Sequence, residues 1–291
     1  MNRDHGEPDN MHPTTRSIFL VAIAMMALMS TAQADMSRFG AGINTDIVKA
    51  SNQVALGLGS LQQDYREYNN GLAPSLPAIL DAEKGSITSL RLSYTGMLQR
   101  LYVQATLNYS TGDTDYTGYL QSGNPVVYTP LTTTTNNRIF NLTWRVGYTF
   151  KAGSSVALIP YIELGEYMWR RDVAPHMSYG VTEDYFHMIL GLGAKLLYSP
   201  VERLVLEAGG GYGTTFLGTM TTGGYDYTLG DKPYMGIYGS LDYRFVGNWH
   251  LKWSVDYRKW EYGQSDIVAG YLEPHSQTKQ TQYLMALGYN F

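Results

Sequence analysis

The chain of 291 residues contains no cysteine, so neither disulfide stapling nor a thiolate metal site is available to it. Basic residues are scarcer than acidic ones, 21 against 25, which argues against a nucleic-acid partner. Long apolar runs are missing as well. Only one exists, and it is N-terminal and short, so a polytopic helical membrane protein is excluded. Charged residues make up only 16% of the chain, yet mean hydropathy is −0.22 with 44% hydrophobic residues. What the chain does have is 31 glycines, 25 tyrosines and 5 tryptophans, a composition suited to β-structure and unsuited to disorder.

The single apolar run lies within Arg16–Ala34. One positive charge precedes Ile18–Met29, and a small-x-small exit follows at Ala32-Gln33-Ala34. This is the three-part layout of a secretory signal peptide, and it is too short for a comfortable membrane span. Cleavage is expected after Ala34, with residues 1–34 as the signal and Met11 as an alternative start. Residues 35–51 are expected to form a short periplasmic segment.

From residue 52 onward the pattern has period two, the mark of strands with unlike faces. Phe140, Leu142, Trp144, Val146, Tyr148 and Phe150 share one face, while Asn141, Thr143 and Arg145 share the other. Trp249–Tyr257 and Tyr283–Phe291 repeat it. The pattern predicts ten strands, near 52–68, 86–98, 101–117, 134–150, 155–171, 182–198, 203–217, 232–246, 248–264 and 276–291. Eight or twelve remain possible. The connections alternate between short turns and long loops, as in a transmembrane barrel, and both termini then lie on one side. The fold class is therefore all-β: an antiparallel up-and-down outer-membrane barrel over residues 52–291, in one domain. The apolar faces end in aromatics such as Tyr94, Tyr109, Tyr198, Phe245 and Trp249, as interfacial girdles do.

The opposite face would line the lumen. It carries Arg91, Arg145, Lys195, Arg244, Lys252 and Arg258 against Glu163, Glu207, Asp242 and Asp256. A ten-strand lumen is narrow, so these charges are expected to pair and pack it. A narrow ion-selective path is the alternative. No metal-ligand cluster or phosphate-cradling loop occurs, and no cofactor is expected. Ala208–Gly213 carries its glycines through a strand, where small residues relieve lumen crowding.

The final strand, with alternate aromatics and C-terminal Phe291, resembles the assembly signal read by the barrel-assembly machinery of bacterial outer membranes. The architecture resembles that of the omptin proteases and the ten-stranded Opc-type adhesins. The first resemblance implies a pair of aspartates near the outer end of the barrel, where Asp113-Thr-Asp115 lies. Two carboxylates two apart on a strand share a face and could hold a water. The resemblance also implies an Asp-x-His couple on a later loop, but Asp226 is followed two positions on by Thr228. Strand parity also turns Asp113 and Asp115 outward unless a bulge intervenes near Gly112. No Ser accompanies His187 as a lipid hydrolase would need.

A loop-end rim is expected from Tyr65, Tyr68, Tyr116, Tyr119, Trp169, Tyr225 and Tyr227, with Arg66, Arg170 and Arg171 at the same level. Tyrosine suits binding surfaces, and arginine suits lipopolysaccharide phosphates. The expected partners are outer-membrane lipid and lipopolysaccharide, with an extracellular ligand or host surface at the rim. The reading favours binding, adhesion or envelope support in the cell outer membrane over endopeptidase activity.

Overall fold

A computed structural model describes residues 42–72, 74–122 and 127–291. The expected signal peptide and its cleavage site lie outside the described residues. The remainder is a closed antiparallel barrel of ten strands: β1 (Gln53–Tyr68), β2 (Ile79–Leu98), β3 (Leu101–Ser122), β4 (Val127–Tyr148), β5 (Val156–Val173), β6 (Val181–Val201), β7 (Leu204–Thr222), β8 (Pro233–Val246), β9 (Trp249–Tyr262) and β10 (Ser276–Asn290). Each strand pairs with its sequence neighbours, and β10 closes on β1 from Gln53↔Asn290 to Glu67↔Ser276. Phe150–Lys151 prolongs the β4 edge against β5, and Tyr225–Leu229 folds back on the end of β7.

One end carries short turns, at Gln99–Arg100, Glu202–Arg203 and Gly247–Asn248. Gly247 sits at φ +53, a left-handed conformation that glycine adopts without steric cost. At the other end β2, β3 and β4 run further than alternation predicts. The expected loops 69–85 and 118–133 shrink accordingly. Beyond the bilayer the arms still satisfy each other's backbone hydrogen bonds, so pairing continues after the apolar alternation has stopped.

Alternation sorts the side chains as expected. Leu58, Ile162 and Leu192 stand on the outside, Leu192 being 68% exposed, as a lipid-facing band requires. The lumen is filled. Arg145 Nε donates to Glu163 Oε2 at 2.6 Å, and its guanidinium lies over the rings of Tyr161 and Tyr238. Arg91 pairs with Asp256 at 2.8 Å. Glu207 is shared by Lys195 at 3.1 Å and Lys252 at 3.3 Å. Arg258 donates to Asn141, and Asp242 meets His250 and the Gln53 amide. The glycines of β6 and β7 make room for this packing. A Cβ on Gly209 would sit 2.6 Å from the ring of Tyr238, and one on Gly193 would sit 2.4 Å from Tyr161.

The described residues before β1 begin at 42. Asn44 caps the short helix α1 (Thr45–Ala50), accepting hydrogen bonds from Asp46 N and Ile47 N. Ile47 is fully buried with Met97, Tyr102, Ile159, Leu197 and Val205, so α1 stoppers the turn end. Arg244, expected to pair with strand charges, instead bonds Asp46 of this helix at 2.9 Å.

Candidate functional site

At the loop end, successive lumen-facing positions of five strands converge on a cup. β1 supplies Tyr65 and Glu67, and β2 supplies Asp81 and Glu83. β3 supplies Tyr116, β5 supplies Trp169 and Arg171, and β6 supplies Glu183 and Tyr185. The loop before β10 adds Glu273. The cavity measures about 280 Å³, walled by Glu67, Asp81, Glu183 and Glu273 with Tyr116, Tyr119, Tyr225 and Tyr227 among others.

Arg171 is the hub. It is 1% exposed and pairs with Glu183 at 2.9 Å and with Glu67 and Glu83 at 3.3 Å each. Its guanidinium also lies 4.7 Å from the ring centre of Tyr65 and 5.3 Å from Trp169. Glu83 accepts from Thr114 Oγ1 at 2.8 Å, and Thr114 accepts from Asn137, whose Oδ1 receives the Trp169 indole N–H. Tyr185 donates to Glu273 at 2.6 Å, and Tyr65 donates to Glu67 at 2.8 Å. Asp81 accepts from the backbone N–H of Tyr119. Below lies a slab of stacked rings, with Trp169 on Tyr185, and His187 on Tyr167.

Five carboxylates therefore face one guanidinium, and one cation cannot compensate them all. Burial, reinforced by Glu183, pushes Glu273 up to about 8. Burial, reinforced by Asp81 and Glu273, raises Glu67 well above the usual carboxylate range. Burial likewise raises Asp81. Burial first, and the crowding of like charges after it, favours the protonated form of these carboxyls.

The expected rim residues divide by strand parity. Tyr65, Tyr116, Trp169, Arg171 and Tyr227 are buried at the cup, and Tyr119 and Tyr225 line its mouth. Tyr68 and Arg170 belong to the outer surface, where Tyr68 lies beside His275 and Arg170 beside Asp172. Arg171 is thus unavailable to membrane phosphates, and Arg66 is held by Asp64 at 2.9 Å.

Asp113 and Asp115 are exposed on the outer face. Gly112 has an unusual φ of +150, and β2–β3 pairing lapses there, but it resumes at Lys84↔Asp115 with unchanged parity. Asp113 accepts from Asn136, and neither aspartate is bonded to a histidine. The buried His187 instead bonds Tyr262 at 2.7 Å, and His275 bonds Glu261. Among the described residues the expected water-holding pair therefore has no histidine hydrogen-bonded to it. Among the described residues no group of His, Asp and Glu is arranged to hold a metal ion.

Asp81, Glu83, Glu67, Glu183 and Glu273 are the residues that sequence reasoning passes over. The signal was present: extending the lumen parity of Arg91, Ser89 and Ile87 back along β2 reaches Glu83 and then Asp81.

No protein-family model and no curated protein matches the chain. Among solved structures, the outer membrane protease OmpT from Escherichia coli is similar at 12% identity and a TM-score of 0.54, over 82% of this chain and 97% of that one. The Neisserial surface protein A matches at 11% identity and a TM-score of 0.30, covering 82% and 97%. The Pseudomonas putida (P. putida) toluene transporter TodX matches at 13% and 0.31, covering 86% and 94%. At such identities the OmpT likeness is one of fold: the chain has the architecture of outer-membrane β-barrels.

Proposed function

We propose that this barrel is a surface binding protein whose loop-end cup captures a cationic group, an ammonium or guanidinium carried on a peptide or small molecule. The observation that carries the reading is the charge imbalance of the cup: five buried or half-buried carboxylates around one guanidinium, walled by tyrosines. Carboxylates and aromatic faces together suit an organic cation better than a bare metal ion, which would need several oxygens converging at one point. An arriving cation would displace the proton favoured on Glu273, so binding would release a proton.

The filled lumen supports a binding role over conduction, and the outward Asp113 and Asp115 give no support to peptide hydrolysis. The test is calorimetric titration of the folded barrel with a short arginine-containing peptide at pH 7, alongside a fluorogenic dibasic peptide. The expected result is saturable binding, weakened at least tenfold by Glu67→Gln with Glu273→Gln, and no cleavage. Binding equal in wild type and double variant would reject the cup as the site. Cleavage that depends on Asp113 would reject the reading altogether.

A further inference from the structure

The outer wall carries a second feature, independent of the cup. Where β8, β9, β10 and β1 adjoin, two rows of outward side chains cross the lipid-facing surface. One row is Leu241, Trp253, Met285 and Leu58, and the other is Gly239, Val255, Tyr283 and Ser60. Large residues flank the small Gly239 and Ser60, leaving an open apolar groove of about 750 Å³.

Two outward positions higher, the same strands bring Lys259 and Lys279 directly opposite each other. Four residues of strand place them about 13 Å above the groove. Like charges facing each other across a ladder repel. Nearby acids relieve this pair only in part. Asp64, in register with Lys279, is engaged by Arg66 at 2.9 Å and Lys84 at 3.4 Å. Glu261 serves Lys259 but also binds Gln277 and His275. Among the described residues Lys279 makes no ion pair.

We propose that this surface is a binding site for a phosphate-bearing diacyl lipid, its phosphate between Lys259 and Lys279 and one acyl chain in the groove. The charge fits, since a phosphate between the two ammonium groups turns repulsion into two attractions. The spacing fits, since an acyl chain descending from a headgroup at the charged row enters the groove at the depth where the apolar band begins. The position fits too, because the row Lys259–Lys279–Asp64–Lys84 stands above the polar outward row Tyr257–Thr281–Gln62–Ser86, beyond the upper edge of the apolar band.

The test uses the folded barrel in nonionic micelles, probed with diacyl phosphatidate and read by native mass spectrometry. Phosphatidylcholine and inorganic phosphate serve as comparisons. Phosphatidate should bind preferentially, without competition from inorganic phosphate. Lys259→Gln with Lys279→Gln should weaken binding roughly tenfold or more. Lys259→Arg with Lys279→Arg should retain it, which separates charge loss from misfolding. Gly239→Leu should also weaken binding by filling the groove; a Cβ there meets only the Glu207 carbonyl, at 3.5 Å. Equal uptake of phosphatidylcholine, or phosphatidate binding unchanged by the glutamine pair, overturns the proposal. Full competition by inorganic phosphate, or indifference to Gly239→Leu, overturns the acyl seat.

Discussion

Arg171 Nη1 lies 2.9 Å from Glu183 Oε2, and the arginine is 1% exposed. This pair holds β5 to β6 at the cup, and the same guanidinium reaches Glu67 on β1 and Glu83 on β2. Arg171→Met should therefore strand three carboxylates at once. Breaking a buried charge pair by removing one partner costs about 3–5 kcal/mol. Urea unfolding at pH 7 should show a loss of that order, and the loss should shrink as acid protonates the orphaned carboxyls. A variant as stable as wild type at pH 7 would remove Arg171 from its place as hub.

Glu273 should make the loop before β10 sensitive to pH. Its ordinary value is 4.5 and burial pushes it up to about 8, so between these limits the folded protein holds a proton that the unfolded chain has lost. Stability is then greatest below about 4.5 and falls as pH rises towards 8. Glu67 and Asp81, also raised, add in the same direction. Amide exchange of residues 263–275 should quicken between pH 5 and 8, and Glu273→Gln should flatten the dependence. Exchange that slows with pH, once the intrinsic base catalysis is subtracted, would contradict this.

Asp113→Ala and Asp115→Ala should be quiet. Both residues are exposed, and among the described residues only Asp113 has a hydrogen-bond partner, Asn136. Stability should change by no more than about 0.5 kcal/mol, and affinity at the cup should be unaltered.

The barrel should carry no steady current in a planar bilayer. Ile47→Asp should not open one either, although it should release α1 to proteolysis. Lys195, Tyr102 and Glu207 still fill the lumen above the helix, with Arg145 and Glu163 beyond them. A steady current from the variant alone would assign the sealing to α1 instead.

The barrel was legible because lipid and lumen impose opposite demands on alternate residues, as Phe140–Phe150 and Trp249–Tyr257 display. Period two fixed which of Arg170 and Arg171 turns inward once the strand was placed. It could not show how far strands run past the membrane. There the outer face no longer needs to be apolar, so β2 was expected to begin at 86 and Asp81 and Glu83 fell into a loop. The helix α1 was hidden for a related reason, since a six-residue segment is too short for a helical period to stand out. Glu273 has no strand parity to follow; its meeting with Tyr185 is set by the course of the loop alone.

The tyrosines seated against Gly193 and Gly209 make the barrel's middle a solid shaft rather than a tube. Sites separated by such a distance without shared partners combine their effects additively. The two ends are therefore insulated from each other. Substitutions at the exposed end should add to those at the stopper below, and the loop end can be rewritten residue by residue under selection without recalibrating the stopper.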